Sequence, residues 1–226
     1  TRLEAARPRP YSLRRNPPRL GPPKPLRNSA RREVTTGAVA ALTTAQIAAL
    51  TGEQVIALTT DQMAALQSSQ VAGFETADLA LLKTAQLAAL STAQMVGLTT
   101  VQVASLTVAQ LSSLSTTQVA GLSTAQINAL TSSQAGGLTT TQVAALSSGQ
   151  AAAISTTDLQ ALSAAQLVKL ATAGLTSAQV VALTTEQAAA LTTAQINALS
   201  LTQVKALETT DRKSTRLNSS HANVSR

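Results

Sequence analysis

From Leu42 onward the chain repeats one eight-residue pattern of apolar and polar positions, with the consensus LTTAQVAA. Numbered from the leucine, positions 1 and 6 are apolar, position 2 is Ser or Thr in 17 of 20 octads, and position 5 is Gln in 18 of them. The octads run from Leu42 to Leu170 and then, out of phase, from Leu175 to Leu207, and a weaker octad at 34–41 precedes them. Such fixed-period similarity indicates a repeat array in which each unit packs on its neighbours.

The polar positions of the octad predict a helix start in every repeat. Ser or Thr followed three residues later by Gln is a capping box, and the apolar residues at positions 1 and 6 form the hydrophobic staple beside it. The predicted capping pairs include Thr43 with Gln46, Thr51 with Gln54, Thr99 with Gln102, Ser123 with Gln126, and Thr184 with Gln187. The predicted core residues include Leu42, Ile47, Leu50, Val55, Leu98, Val103, Leu122, Ile127, Leu183 and Leu191.

Two other folds compete with this interpretation. In one continuous helix, successive leucines would drift by about 80° around the axis, so no single face could bury them. A β-solenoid suits the abundant Thr, Val and Ile, but positions 1 and 6 have opposite parity, and the Ala and Gln positions favour helix. The sequence therefore predicts an all-α solenoid or superhelix over residues 34–210, with one helix of about two turns per octad.

Position 5 allows two roles for its glutamine. Each side chain could close the cap of its own helix, which accounts for the spacing without further assumptions. Alternatively, the amides could form a ladder between superhelical layers or an outward polar row that contacts a ligand. Asp78 is expected to replace Gln in one capping box while Glu75 sits in the same first turn, where negative charge is favourable.

The residues between the two runs of octads predict a longer helix. Ser163 can cap a helix that passes through Gln166 and Leu170 to Ala173, with Gly174 as the residue that ends it. We expect about ten residues here, the longest helix of the array. A three-residue deletion without any role also explains the change of phase.

The positive charge of the chain lies outside the repeats. Residues 1–33 carry ten Arg or Lys and two Glu, residues 34–210 carry three Lys and seven acids, and residues 211–226 carry four Arg or Lys and one Asp. These segments contribute +8, −4 and +3 to the net charge of +7, so the array has no basic surface for nucleic acid.

Both flanking segments differ from the array in composition. Residues 1–33 hold all seven prolines and are expected to be disordered: a basic linker, a Pro-rich ligand or a spurious translation. Residues 211–226 resemble a translated sequencing adapter, which makes them an expected artefact without structure. The single histidine, His221, lies in that segment and is given no metal or catalytic role.

Composition narrows the function further. The chain has no Cys and therefore no disulfide or thiolate metal site. No run of 18 apolar residues predicts a membrane span, and the acids of the array have no paired base. We expect no enzymatic activity, no cofactor, no metal and no nucleic acid partner.

The phrase from Leu42 to Leu50, LTTAQIAAL, resembles octad arrays of very large proteobacterial surface or adhesin-like proteins. That resemblance implies a spacer, stalk or repetitive display segment of a larger secreted or surface protein, with neighbouring repeats and cell-surface or host ligands as partners. A peptide- or glycan-binding solenoid is the alternative. The octad from Leu175 to Ala182 also looks like the start of a TAL-effector repeat, which would imply a DNA-binding array, but the longer repeat and variable base-reading pair of that family are missing.

Overall fold

The fold of the array is seen in a computed structural model, which describes residues 35–205. Within this range every regular element is a helix of one or two turns, and no strand is present. The α-helices are α1 Thr36–Ala40, α2 Thr44–Ala48, α3 Gly52–Ala57, α4 Thr60–Ala65, α5 Ser68–Val71, α6 Thr76–Leu81, α7 Thr84–Ala88, α8 Thr92–Gly97, α9 Thr100–Ser105, α10 Val108–Ser112, α11 Thr116–Gly121, α12 Thr124–Asn128, α13 Ser132–Gly136, α14 Thr140–Ala144, α15 Ser148–Ala153, α16 Thr156–Ala161, α17 Ala164–Leu167, α18 Ser177–Ala182, α19 Thr185–Ala190 and α20 Thr193–Asn197. A 3-10 turn, Thr172–Gly174, lies between α17 and α18, and residues 201–205 are again helical.

Most helices begin after the Ser or Thr at position 2, and each helix from α1 to α20 ends one to three residues before the next position 1. Thr99 caps α9 with extended backbone angles (φ −70°, ψ 160°), and Leu106 at the other end is extended again (φ −62°, ψ 141°). The chain therefore makes a sharp turn at every position 1, which we call a corner. The all-α solenoid predicted from the octad is confirmed. A continuous rod is excluded because the backbone leaves the helical region once per repeat.

The aliphatic side chains of positions 1 and 6 form one continuous core along the array. Position 6 is at most 2% exposed from Ile47 to Val180, and position 1 is 3–6% exposed from Leu66 to Leu175. Burying a side chain of this size contributes about 1.5–3 kcal/mol, so the two columns supply the main apolar stabilisation. Among the predicted core residues, those buried are Ile47, Val55, Leu98, Val103, Leu122 and Ile127.

Four predicted core leucines are only partly buried. Leu42, Leu50, Leu183 and Leu191 pack against the core without being enclosed by it. They belong to the first and last superhelical turns of the described array. There, another superhelical turn packs against each of these leucines on one side only. Position 1 therefore needs a superhelical turn on both sides for full burial.

Successive turns of the superhelix are in close contact. Up to α17 the helices pack on the helix three places earlier, as α8 does on α5 and α11 does on α8, and beyond it α18 packs on α16 because the 3-10 turn takes one place. A Cβ on Gly97 would lie 2.9 Å from the carbonyl carbon of Ser68, so this position must remain glycine while the turns keep their spacing. Before the change of phase, contacts across turns join residues 25 to 31 apart, as in Asn128 with Ala153 and Gln102 with Val71. One superhelical turn thus takes between three and four octads.

The long helix expected after Ser163 is wrong. Helix α17 has only four residues, and the chain then forms a corner at Leu170 before the short 3-10 turn. Leu170 and Leu175 are 3% and 4% exposed, so both occupy core corners, and a helix running through Leu170 could not place both there. Gly174 does not end a helix with a positive φ, since no described residue has one. It is small because a Cβ there would lie 2.6 Å from Ser148 Cα in the turn below.

Residues 170–174 act as a shortened repeat. The 3-10 turn packs on α15. The helix of a full octad at this position in the chain would pack on the same helix. Beyond it, Gln179 reaches back 28 and 25 residues, to Ala151 and Ile154, where earlier glutamines reach back 31 and 28. The superhelix therefore accommodates the loss of three residues without losing its contacts between turns. The predictions for residues 1–33 and 211–226, including His221, lie outside the described residues.

Candidate functional site: the glutamine column

The glutamine at position 5 closes a capping box in almost every repeat. At α9, Gln102 N–H donates to Thr99 Oγ1 over 3.2 Å, and Thr99 N–H donates to Gln102 Oε1 over 2.8 Å. These bonds satisfy two of the four backbone donors that a helix N-terminus leaves open. The structure has both halves of the box at Thr43 with Gln46, Thr51 with Gln54, Thr99 with Gln102, Ser123 with Gln126, and Thr184 with Gln187.

The same glutamine has a second set of contacts that the repeat spacing does not reveal. Gln102 Nε2 donates to the carbonyl oxygens of Val71, Ala72 and Phe74 in the turn below, over 3.2, 3.1 and 2.7 Å. Its side chain is 3% exposed. The amide oxygen thus serves the helix of its own octad, while the amide nitrogen serves a corner between two octads of the preceding turn.

We call the glutamines that bridge turns in this way the glutamine column. Its members each donate through Nε2 to main-chain carbonyls 25–31 residues earlier. They are Gln70, Gln86, Gln94, Gln102, Gln110, Gln118, Gln126, Gln134, Gln142, Gln150, Gln166, Gln179, Gln187, Gln195 and Gln203.

The column satisfies a need that short helices create. A helix leaves its last four carbonyls without partners inside the helix, and in a helix of four to six residues these are most of the acceptors. Each corner carbonyl lies in the packed interior, where an unpaired polar group costs about 1–3 kcal/mol. The glutamine side chain supplies the missing donors from the next turn. The capping role expected from the sequence is therefore present, but it is only half of what the residue does.

Three repeats lack the hydroxyl at position 2, and the structure shows what remains. Gln67 and Lys83 begin α5 and α7 without a side-chain cap, yet their backbone N–H groups still donate to Gln70 Oε1 and Gln86 Oε1, over 2.6 and 2.8 Å. The glutamine half of the box therefore persists when the hydroxyl half is lost.

The expected capping role of Asp78 is wrong. Glu75 occupies the cap position of α6 and makes no side-chain cap bond, and α6 has no capping box with Asp78. Aspartate is one methylene shorter than glutamine, so its carboxylate does not reach the N–H of the cap residue. Glu75 is accordingly the cap residue itself and does not lie inside the first turn.

Asp158, the other aspartate at position 5, forms a different network. It is 6% exposed. Its Oδ2 accepts from Ser155 Oγ over 2.6 Å, and its Oδ1 accepts from Ser132 Oγ in the turn below over 2.7 Å. The link between turns is kept here, but it runs to a side-chain hydroxyl and leaves the corner carbonyls without an amide donor.

The charged side chains of residues 35–205 show no grouping of the kind that holds a metal ion, since no three His, Cys, Asp or Glu lie together within that range. Nor is any helix there long and apolar enough to cross a membrane. Within residues 35–205 the glutamine column is a polar arrangement that recurs from turn to turn.

Comparison with known families identifies the repeat. The ALTTAQ repeat matches at residues 32–60, 71–108, 108–140, 151–193 and 173–209, which together are more than half of the chain. The chain belongs to the ALTTAQ repeat family. No curated protein and no solved structure matches it. The octapeptide array recognised from the sequence is thus confirmed, and ALTTAQ names the same phrase that contains the cap residue and the bridging glutamine.

Proposed function

We propose that this chain is a structural array, a spacer, stalk or repetitive display surface, within a larger secreted or cell-surface protein. The observation that supports the proposal is the glutamine column, whose amides are buried and bonded to main-chain carbonyls one turn below. The most regular polar side chains of the repeat are thus used to hold the array together.

With this arrangement each added octad should lengthen the array by the same amount and keep it stiff. Within most octads a capping box fixes the helix start, and across turns the octad is held by the glutamine and by two core aliphatic side chains. In a solenoid of this kind stability is close to a sum over repeats and their interfaces. Adding octads should therefore lengthen the array without changing its cross-section, which is what a spacer requires.

The spacer proposal is tested by changing the number of octads in the full chain. Duplication of residues 98–121 adds three consensus octads, and small-angle scattering should show a constant increase in maximum dimension for each further duplication. A matched control inserts a Gly/Ser segment of the same length at residue 121, which should add a flexible loop and no helical signal in circular dichroism. Growth that is equal for both insertions would contradict a rigid spacer.

The surface location is tested separately. An antibody raised against residues 35–205 should label intact cells that carry the parent gene as strongly as permeabilised cells. Labelling only after permeabilisation would contradict the secreted or surface setting while leaving the spacer role open.

A further inference from the structure

Each superhelical turn presents two different faces to its neighbours. Toward the preceding turn it presents the amide nitrogens of position 5, and toward the following turn it presents the position 6 side chains and the corner carbonyls. Gln118 Nε2 illustrates the contact, because it donates to Leu87 O and Leu90 O over 3.1 and 2.6 Å. Each glutamine of the column reaches the corner three repeats earlier, and at each end of the described array one half of this interface has no partner.

The first turn of the described array presents unpaired amide donors. Gln46 and Gln54 are exposed, whereas Gln102 in the middle of the array is 3% exposed. Both residues keep their capping boxes through Oε1, but neither amide nitrogen donates to any group in residues 35–205. Ile47 and Val55 beside them are fully buried. This face therefore offers hydrogen-bond donors without exposing the aliphatic core.

The last turn of the described array presents the opposite half of the interface. Ile196, at position 6, is 49% exposed, although the same position is at most 2% exposed in the interior of the array. The corner carbonyls of Leu191 and Leu199 accept no hydrogen bond within residues 35–205. In the turn below, Leu175 O still accepts from Gln203 Nε2. This face therefore offers an aliphatic side chain and carbonyl acceptors that lack the next turn of glutamines.

Amides at position 7 bind in the opposite direction, to the turn that follows. Asn128 Nδ2 donates to Ala153 O, at position 8 three repeats later, over 2.9 Å. Gln160 Nε2 donates in the same way to Ala182 O over 2.7 Å. Asn197 also stands at position 7, is exposed, and donates to no group in residues 35–205. The last turn thus holds a donor of the kind that binds a following turn.

We propose that these two end faces bind each other, so that a second copy of this chain stacks head to tail on the first. The octad order continues when α1 of the second copy follows the helix at residues 201–205 of the first. In that register the second copy's Gln46 and Gln54 come three repeats after Leu191 and Leu199. Their amide nitrogens then meet the two unpaired corner carbonyls.

The same register provides an acceptor for Asn197. Three repeats after this residue comes the second copy's Ala49, which stands at position 8 and whose carbonyl oxygen accepts no hydrogen bond within residues 35–205. Ala49 therefore takes the place that Ala153 has above Asn128. One alignment, fixed by the octad order alone, pairs all three free donors with free acceptors and places a turn over Ile196.

A second copy suits these faces because the surface they require is the contact between turns that the array already contains. Solenoid proteins usually end in capping repeats with a polar outer face, which keep them soluble. The octads near the two ends here are not specialised, since residues 42–47 and 191–196 have the same sequence, LTTAQI. A contact between two different faces that does not close produces a linear assembly. This inference goes beyond the proposed spacer role and does not depend on it.

The proposal is tested by analytical ultracentrifugation of the full chain at increasing concentration. We expect the sedimentation coefficient to rise with concentration, and electron micrographs should show rods of variable length that have the width of one array. A chain that remains monomeric up to its solubility limit would overturn the proposal. So would a dimer that grows no further, because a head-to-tail contact leaves one face free at each end.

Ile196→Glu tests the last face. It places a carboxylate where the second copy should pack, and because burying an unpaired charge is costly, we expect the dissociation constant to rise about tenfold or more. The matched control is Val101→Glu: Val101 is 67% exposed on α9, far from both ends, so association should not change. Circular dichroism checks that both variants stay folded. Association that survives Ile196→Glu, or that both substitutions weaken equally, would overturn the proposal.

A third variant, which combines Gln46→Glu and Gln54→Glu, tests the first face. Glutamate can still close a capping box, but it has no N–H to donate, so this variant should stay monomeric where the parent chain assembles. Mixed with Ile196→Glu, it should form dimers of one copy of each and nothing longer, because each variant keeps the face that the other has lost. A mixture that stays monomeric would overturn the head-to-tail contact, as would self-association of either variant at the strength of the parent chain.

Discussion

Two neighbouring stretches of the same array differ in how fully they meet the family pattern. The regular segment, residues 82–130, has Gln at every position 5 and Leu, Met, Val or Ile at every position 6. The loose segment, residues 131–175, has Ala135 and Ala151 at position 6, Asp158 at position 5, a cavity beside it and a shortened repeat at its end. In both segments the helices still pack on helices of the preceding turn.

This difference shows that the array tolerates local losses. In a solenoid each repeat contacts only its neighbours, so a missing methylene or amide costs stability at that turn without changing the path of the chain elsewhere. The loose segment should therefore be the first part of the array to open. Four substitutions, taken from the largest expected effect to the smallest, test the contrast between the two segments.

Leu106→Ala in the regular segment should have the largest effect. Leu106 is 3% exposed at a core corner, and removing a buried leucine side chain costs about 2–5 kcal/mol of unfolding free energy. Urea unfolding of the full chain followed by circular dichroism measures the cost. Leu42→Ala, at a partly buried corner, should cost clearly less, and equal costs would contradict the role of turns on both sides of a corner.

Gln110→Ala should cost about 2–4 kcal/mol, because it removes a cap contact and leaves buried carbonyls unpaired. Gln110 Nε2 donates to Leu79 O and Leu82 O, each over 2.8 Å. The control is Gln46→Ala: Gln46 is exposed and has the same capping box, so its loss should cost only about 1 kcal/mol. If both variants unfold at the same urea concentration, the bonds across turns contribute nothing measurable.

Asp158→Gln should stabilise the loose segment by about 1–2 kcal/mol, since the new amide can donate to Ile127 O and Leu130 O. Native-state hydrogen exchange should show slower opening of α15 and α16 in this variant, with α8 and α9 unchanged. Destabilisation would mean that the Ser132–Asp158 link is worth more than the restored amide bonds.

Lys83→Ser should have the smallest effect, a gain of about 0.5–1 kcal/mol from a hydroxyl cap at α7. Gln86 already supplies the other half of the box there. Thr99→Ala is the converse change, and its cost in urea unfolding should match that gain in size. A gain without a corresponding loss would indicate that the charge of Lys83, and not the missing hydroxyl, sets the stability of α7.

The features that sequence reasoning found are those decided within one octad. The capping box joins residues three apart, so Thr99 and Gln102 identify a helix start without reference to the rest of the chain. The alternation of apolar positions 1 and 6 identifies the core for a similar reason. Fold class, helix starts and core columns could all be predicted from contacts of this range.

One expectation that failed depends on partners distant in the sequence, and the other depends on the length of a single side chain. Residues 170–174 take their shape because Leu170 and Leu175 must both lie at core corners above α15. Local helix propensity carries no information about this packing requirement. The failure at Asp78 arose because the length of one side chain decides whether a cap is reached.

The octad by itself determined where each helix starts and which side chains enter the core, because those choices are made by neighbours in the chain. Only the tertiary structure decided how many octads form a turn and what the far end of each glutamine binds. Those outcomes depend on carbonyls 25 to 31 residues away, which the superhelix brings beneath the amide. The repeat period cannot encode that distance, since every octad presents the same carbonyls.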